Sequence, residues 1–71
     1  MKTLSRYLAE NFPADYKTRV EPQDDGYLVV RVGYPINGTE AIRTVSGRQV
    51  QNGLLVETML DDMRRELARP Q

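Results

Sequence analysis

The chain contains no cysteine, no histidine and no tryptophan. Without cysteine there can be no disulfide and no thiolate metal site. Without histidine it lacks the commonest metal ligand and the commonest general base at neutral pH. Missing tryptophan removes a favoured interface anchor, although four tyrosines remain and arginine can serve the same end. Net charge is missing as well, because ten basic and ten acidic side chains cancel. Non-specific nucleic-acid binders usually carry a basic excess, since phosphate neutralisation supplies most of their affinity. Charge balance also lowers the repulsion between copies, which favours self-association.

Long apolar runs are absent too. The opening Met1-Lys2-Thr3-Leu4-Ser5-Arg6-Tyr7 holds no signal-peptide core. Nothing approaches the roughly 20 apolar residues needed to span a bilayer. The expectation is a cytoplasmic protein with no membrane segment and no cofactor. Its 71 residues make one domain, 1–71. A chain of this size buries only about 60% of its unfolded surface, so its core is small.

What is present is led by Tyr27-Leu28-Val29-Val30-Arg31-Val32, a strand that is apolar on both faces. Side chains alternate along a strand, so Leu28, Val30 and Val32 line one side and Tyr27, Val29 and Arg31 the other. An antiparallel strand with one wet face normally carries polar residues at alternate positions. Here the second face keeps an aromatic and a valine, which suggests that something covers it.

Upstream, Leu4, Tyr7, Leu8 and Phe12 fall at helical spacing, with Thr3 as N-cap and Pro13 as the stop. A helix of about eight or nine residues is marginal alone and must dock. From Tyr16 to Glu21 the period changes to two, predicting an amphipathic strand. Asp24-Asp25-Gly26 then marks a reversal into the Tyr27 strand, which extends to Val32 or Tyr34. Pro35-Ile36-Asn37-Gly38 marks a second reversal, and Thr39 to Ser46 forms the third strand. In that strand Ile42 and Val45 fall on opposite faces, so alternation leaves its phase open. A bulge there would be one way to set it.

Ser46 to Gln51 reads as a linker or single turn, and Asn52 as the N-cap of a helix from Gly53 to Ala68. Val56, Met59, Leu60, Met63 and Leu67 make its apolar stripe. Glu57 near its start and Arg64, Arg65 and Arg69 near its end suit the macrodipole. Asp61 and Asp62 are both spaced to pair with Arg65, and Pro70 ends the helix. The fold class is therefore α+β, in the order α-β-β-β-α. Two tight turns imply a three-stranded antiparallel meander, and packing both helices on one face is the simplest two-layer solution.

That arrangement leaves a second sheet face carrying Lys17, Arg19, Tyr27, Val29 and Arg31, with Arg43 if the third strand has the matching phase. An aromatic-aliphatic centre with an arginine-rich rim has the composition of a protein interface. The bland alternative is that Tyr27 packs across the sheet under long lysine and arginine stems. Single-stranded nucleic acid could use the same face, with bases on tyrosine and phosphates on arginine, but Glu21, Asp24 and Asp25 crowd one end.

The other features read structurally. Asp24/Asp25 initiate a turn, and Asp61/Asp62 lie on a solvated helix face rather than holding a metal. Asn37-Gly38-Thr39 matches a glycosylation acceptor but reads as a turn. Met59 and Met63 read as core filling, whereas Leu54 and Leu55 extend apolar surface beyond the stripe as a second contact area or dimer seam.

The element order is also that of double-stranded RNA-binding domains. Those domains grip phosphate with lysines at the start of the second helix, where this chain has Asn52-Gly53-Leu54-Leu55-Val56-Glu57. The order matches and the chemistry does not.

Arg43-Thr44-Val45-Ser46-Gly47-Arg48-Gln49-Val50, with Leu55, Met59-Leu60 and Met63-Arg64-Arg65-Glu66-Leu67, resembles a family of small bacterial proteins of unknown function. The likeness covers about the last third of the chain. It implies the same helix-sheet-helix fold, no known activity and no functional residues to carry over.

The functional expectation is a non-enzymatic protein-binding module, such as a regulator or a phage-type inhibitor of a host protein. Its partner is another protein or a second copy of itself. The alternative is a single-stranded nucleic-acid-binding module using the same face.

Overall fold

A computed structural model describes residues 3–69 and bears out the α+β order. Helix α1 (Leu4–Asn11) leads into strands β1 (Lys17–Pro22), β2 (Tyr27–Tyr34) and β3 (Thr39–Ser46). A short α2 (Gly47–Val50) and the long α3 (Gly53–Ala68) close the chain. The sheet has the order β1-β2-β3, with both pairings antiparallel.

Local chemistry accounts for each boundary. Thr3 caps α1 by accepting the Arg6 amide, and Phe12 has already left helical geometry before Pro13. Asp25 Oδ1 accepts the Tyr27 amide at 3.1 Å, and Gly26 takes φ 83°, which makes Asp25-Gly26 the first reversal. Gly38 does the same for the second reversal at φ 71°. The expected linker contains a true helical turn. Ser46 and Gln49 form a capping box in which each side chain accepts the other residue's amide. Asn52 then caps α3 by accepting the Leu55 amide at 3.2 Å. The expected stop at Pro70 lies outside the described residues.

The core sits between one sheet face and both long helices. Val30, Val32, Ala41 and Val45 from the sheet meet Leu4, Leu8 and Phe12 of α1 and Val56, Leu60, Met63 and Leu67 of α3. Met63 fills core as expected, and Met59 is half-buried beside it. Phe12, Tyr16 and Tyr34 close one end, with ring centroids 5.3 and 4.7 Å apart along the series. The β2–β3 turn is tied to the end of α3, because Asn37 Nδ2 donates to the Leu67 carbonyl at 3.2 Å while Asn37 Oδ1 accepts the Thr39 hydroxyl at 2.6 Å.

Both sheet edges are blunted. The Gln23 amide donates to the Tyr27 carbonyl, so odd positions of β2 bond towards β1 and even positions of β1 face outward. Pro22, which has no N–H, therefore stands on the outer edge of β1. On the outer edge of β3, Arg43 Nη1 covers the Ile42 carbonyl at 2.8 Å and Gln49 Oε1 covers the Ser46 amide at 2.7 Å.

Candidate functional site: the open sheet face

The pairing register decides which side chains share the face opposite the helices. One row runs Arg19, Arg31, Ile42, and the next runs Glu21, Val29, Thr44. Tyr27 stands beside Ser46 at one end, and Lys17, Gly33 and Glu40 make the row at the other. Of the expected site residues, Lys17, Arg19, Tyr27, Val29 and Arg31 are brought together here.

Arg43 is not. It pairs with Val30, so its side chain leaves the sheet on the helix side, where Nη2 binds Glu66 Oε1 of α3 at 2.6 Å. The reason is the length of the second turn. Tyr34 pairs with Thr39 across a four-residue loop, which sets Ile42 opposite Arg31 and puts odd-numbered residues of β3 against the helices. Ile42 and Thr44 occupy the face in place of Arg43, joined by Glu40. Counting the loop Pro35-Ile36-Asn37-Gly38 as four residues was the signal that locates them.

The face is divided. Its apolar half consists of Tyr27, Val29 and Ile42, with Tyr27 44% and Ile42 43% exposed. No described helix crosses them, since the apolar stripes of α1 and α3 are both spent on the opposite face.

The charged half is largely self-neutralised. Glu21 sits between two arginines, accepting from Arg31 Nε at 2.9 Å and pairing with Arg19 Nε at 3.1 Å. Glu40 approaches Arg31 Nη1 at 3.7 Å. The hydrogen bond from Arg31 holds the Glu21 carboxyl below its usual range. The charges of Arg31 and Arg19 work in the same direction, against partial desolvation. The same bond raises the Arg31 guanidinium further, so it stays charged throughout. Gly33 contributes no side chain, which leaves a shallow notch rimmed by Lys17, Arg31 and Glu40.

No group of three or more carboxylates among the described residues is placed to hold a metal ion. On α3 the ion pairs differ from expectation in one respect, because Asp61 binds both Arg64 and Arg65 while Asp62 binds neither. No described helix is long and apolar enough to cross a membrane. The chain matches no family model, no curated protein and no solved structure.

Proposed function

We propose that the chain is a small non-enzymatic protein-binding module, a regulator or phage-type inhibitor of a host protein, docking its partner on the open sheet face. A cytoplasmic location is part of the proposal. The observation that carries it is the half-exposed group of Tyr27, Val29 and Ile42 on the side of the sheet that no described helix covers. Contiguous apolar side chains left in water cost free energy that a partner recovers by burying them. The neighbouring Arg19–Glu21–Arg31–Glu40 network supplies a polar rim with its geometry already set.

Single-stranded nucleic acid suits this face less well. Phosphate would have to displace Glu21 and Glu40 from the arginines it needs. Tyr27 is the one aromatic among the strand residues of the face, whereas a stacking platform uses several in succession.

The test is affinity capture from the native host with mass spectrometry, comparing the wild type with a variant carrying Tyr27→Ala and Ile42→Arg. The proposal expects a protein recovered by the wild type and lost with the variant, with circular dichroism showing that the variant is folded. Undiminished recovery by the folded variant defeats it. A labelled oligonucleotide titrated at low salt should give a flat response, and saturable binding there would favour the alternative.

A further inference from the structure

The outer edge of β1 is only partly closed. Even-numbered residues of this strand turn their N–H and C=O groups away from β2. Pro22 offers no N–H there, and the Tyr16 amide is spent on the Pro13 carbonyl at 2.9 Å. Thr18 and Val20 stand between those two, and no described residue takes up the amides and carbonyls they turn outward. Helix α1 leaves this edge accessible. Thr18 is exposed, and a cleft of about 180 Å³ runs between Ser5 and Leu8 of α1 and Thr18, Arg19 and Val20 of β1.

Charge along the edge has one sign. Lys17 and Arg19 stand on the open-face side of the strand, Lys17 without an ion-pair partner among the described residues and Arg19 with its side chain 74% exposed. Glu21 is the one carboxylate of β1, and its hydrogen bond goes inward to Arg31 at 2.9 Å. Asp15 lies in the turn before the strand and outside the ladder.

We propose that this edge takes up an extended acidic segment of a partner protein, which adds to the sheet as an antiparallel fourth strand. Two partner residues, two positions apart, exchange backbone hydrogen bonds with Val20 and Thr18. Their side chains point to the helix side, where the α1 cleft admits small ones. The residue between them and the one that follows point to the open-face side and set carboxylates opposite Arg19 and Lys17. The recognised pattern is therefore small and acidic residues in alternation.

A second copy of this chain fits the edge less well. Pairing Thr18 with Val20 of another copy places Arg19 directly opposite its own equivalent, and like charges at that position repel. The edge and the open face are separate surfaces, so the inference does not depend on the function proposed for that face.

The probe is the peptide acetyl-Thr-Val-Glu-Thr-Glu-Thr-amide, with lysine in place of both glutamates as the control. It is titrated at low salt into the isotope-labelled intact chain, and amide hydrogen exchange is followed by NMR. The acidic peptide should slow exchange at Thr18 and Val20 with a dissociation constant on the order of 1 mM, and the lysine peptide should bind at least about tenfold more weakly. Thr18→Pro, tolerable where the N–H points outward, should abolish the effect with an unchanged circular dichroism spectrum. Lys17→Glu and Arg19→Glu leave the backbone alone and should each weaken binding by about threefold. Unchanged exchange at Thr18 and Val20 up to about 10 mM peptide overturns the proposal. So does equal binding of the lysine peptide, or an effect confined to Tyr27 and Ile42. Protection of Thr18 and Val20 that grows with protein concentration in the absence of peptide would assign the edge to a second copy instead.

Discussion

Val30 and Arg43 sit opposite each other on the core side of β2 and β3, one fully buried and the other carrying a charge out of the core. Arg43 does this by laying its stem along the helix layer and placing its guanidinium on Glu66, 2.6 Å away. Because both side chains are partly exposed, the ion pair itself is worth about 0.5 kcal/mol. The stem covers apolar surface beside Val30 and adds to that. Urea denaturation should show Arg43→Ala destabilising by about 1 kcal/mol, and Arg43→Met, which keeps the stem and loses the pair, by about 0.5 kcal/mol, the same as Glu66→Ala. An equal loss in all three would assign the whole effect to charge and none to the stem.

Two leucines on α3 should behave oppositely. Leu60 is wholly buried against the sheet, and removing its side chain leaves a cavity costing about 2–5 kcal/mol. A domain of this size rarely has more than about 3–5 kcal/mol to lose, so Leu60→Ala should be largely unfolded at room temperature. Leu54→Ala should stay within about 0.5 kcal/mol of the wild type. Thermal melts followed by circular dichroism separate the two.

The contact of α1 with α3 passes over Gly53. A Cβ at that position would lie 2.6 Å from the Tyr7 hydroxyl but 3.7 Å from the ring carbon bearing it. Gly53→Ala should therefore destabilise the wild type despite the better helix propensity of alanine. In a Tyr7→Phe background the same change should be neutral or stabilising. A double-mutant cycle should give a coupling above about 0.5 kcal/mol, and additive effects would contradict the contact.

Glu21 predicts a pH dependence whose sign follows from its position. Its carboxyl is held below the ordinary value of 4.5, chiefly by the hydrogen bond from Arg31. A carboxyl that is more acidic in the folded state stabilises that state above the ordinary value and loses the contribution as pH falls through the folded one. Stability of the wild type should therefore fall more steeply in acid than that of Glu21→Gln. The two curves should converge once Glu21 is protonated. Parallel curves throughout would mean that the Arg31 contact is not formed in solution.

Most of the architecture could be read from residue spacing. The stripe Val56, Leu60, Met63, Leu67, the caps Thr3 and Asn52, and the reversals at Asp25-Gly26 and Asn37-Gly38 all report through local chemistry, which a sequence displays directly. The phase of β3 did not, because Ile42 and Val45 are both β-branched and apolar, and neither identity tells an open face from a covered one. Register resolves it, and register is a relation between strands, set here by the pairing of Tyr34 with Thr39. That single relation moved Arg43 off the candidate face and brought Ile42, Thr44 and Glu40 onto it. The capping box of Ser46 and Gln49 was visible in the spacing, but four residues are too few for helical periodicity to show.

The account rests on a sheet clothed by helices on one side and bare on the other, and side-chain NMR with a soluble paramagnetic agent measures this directly. Tyr27, Val29 and Ile42 should broaden well ahead of Val30, Val32 and Ala41, approaching the exposed Ile36 of the β2–β3 turn. Protection of Tyr27, Val29 and Ile42 at dilutions where the chain is monomeric would mean that its own structure covers the face. The docking surface would then be lost.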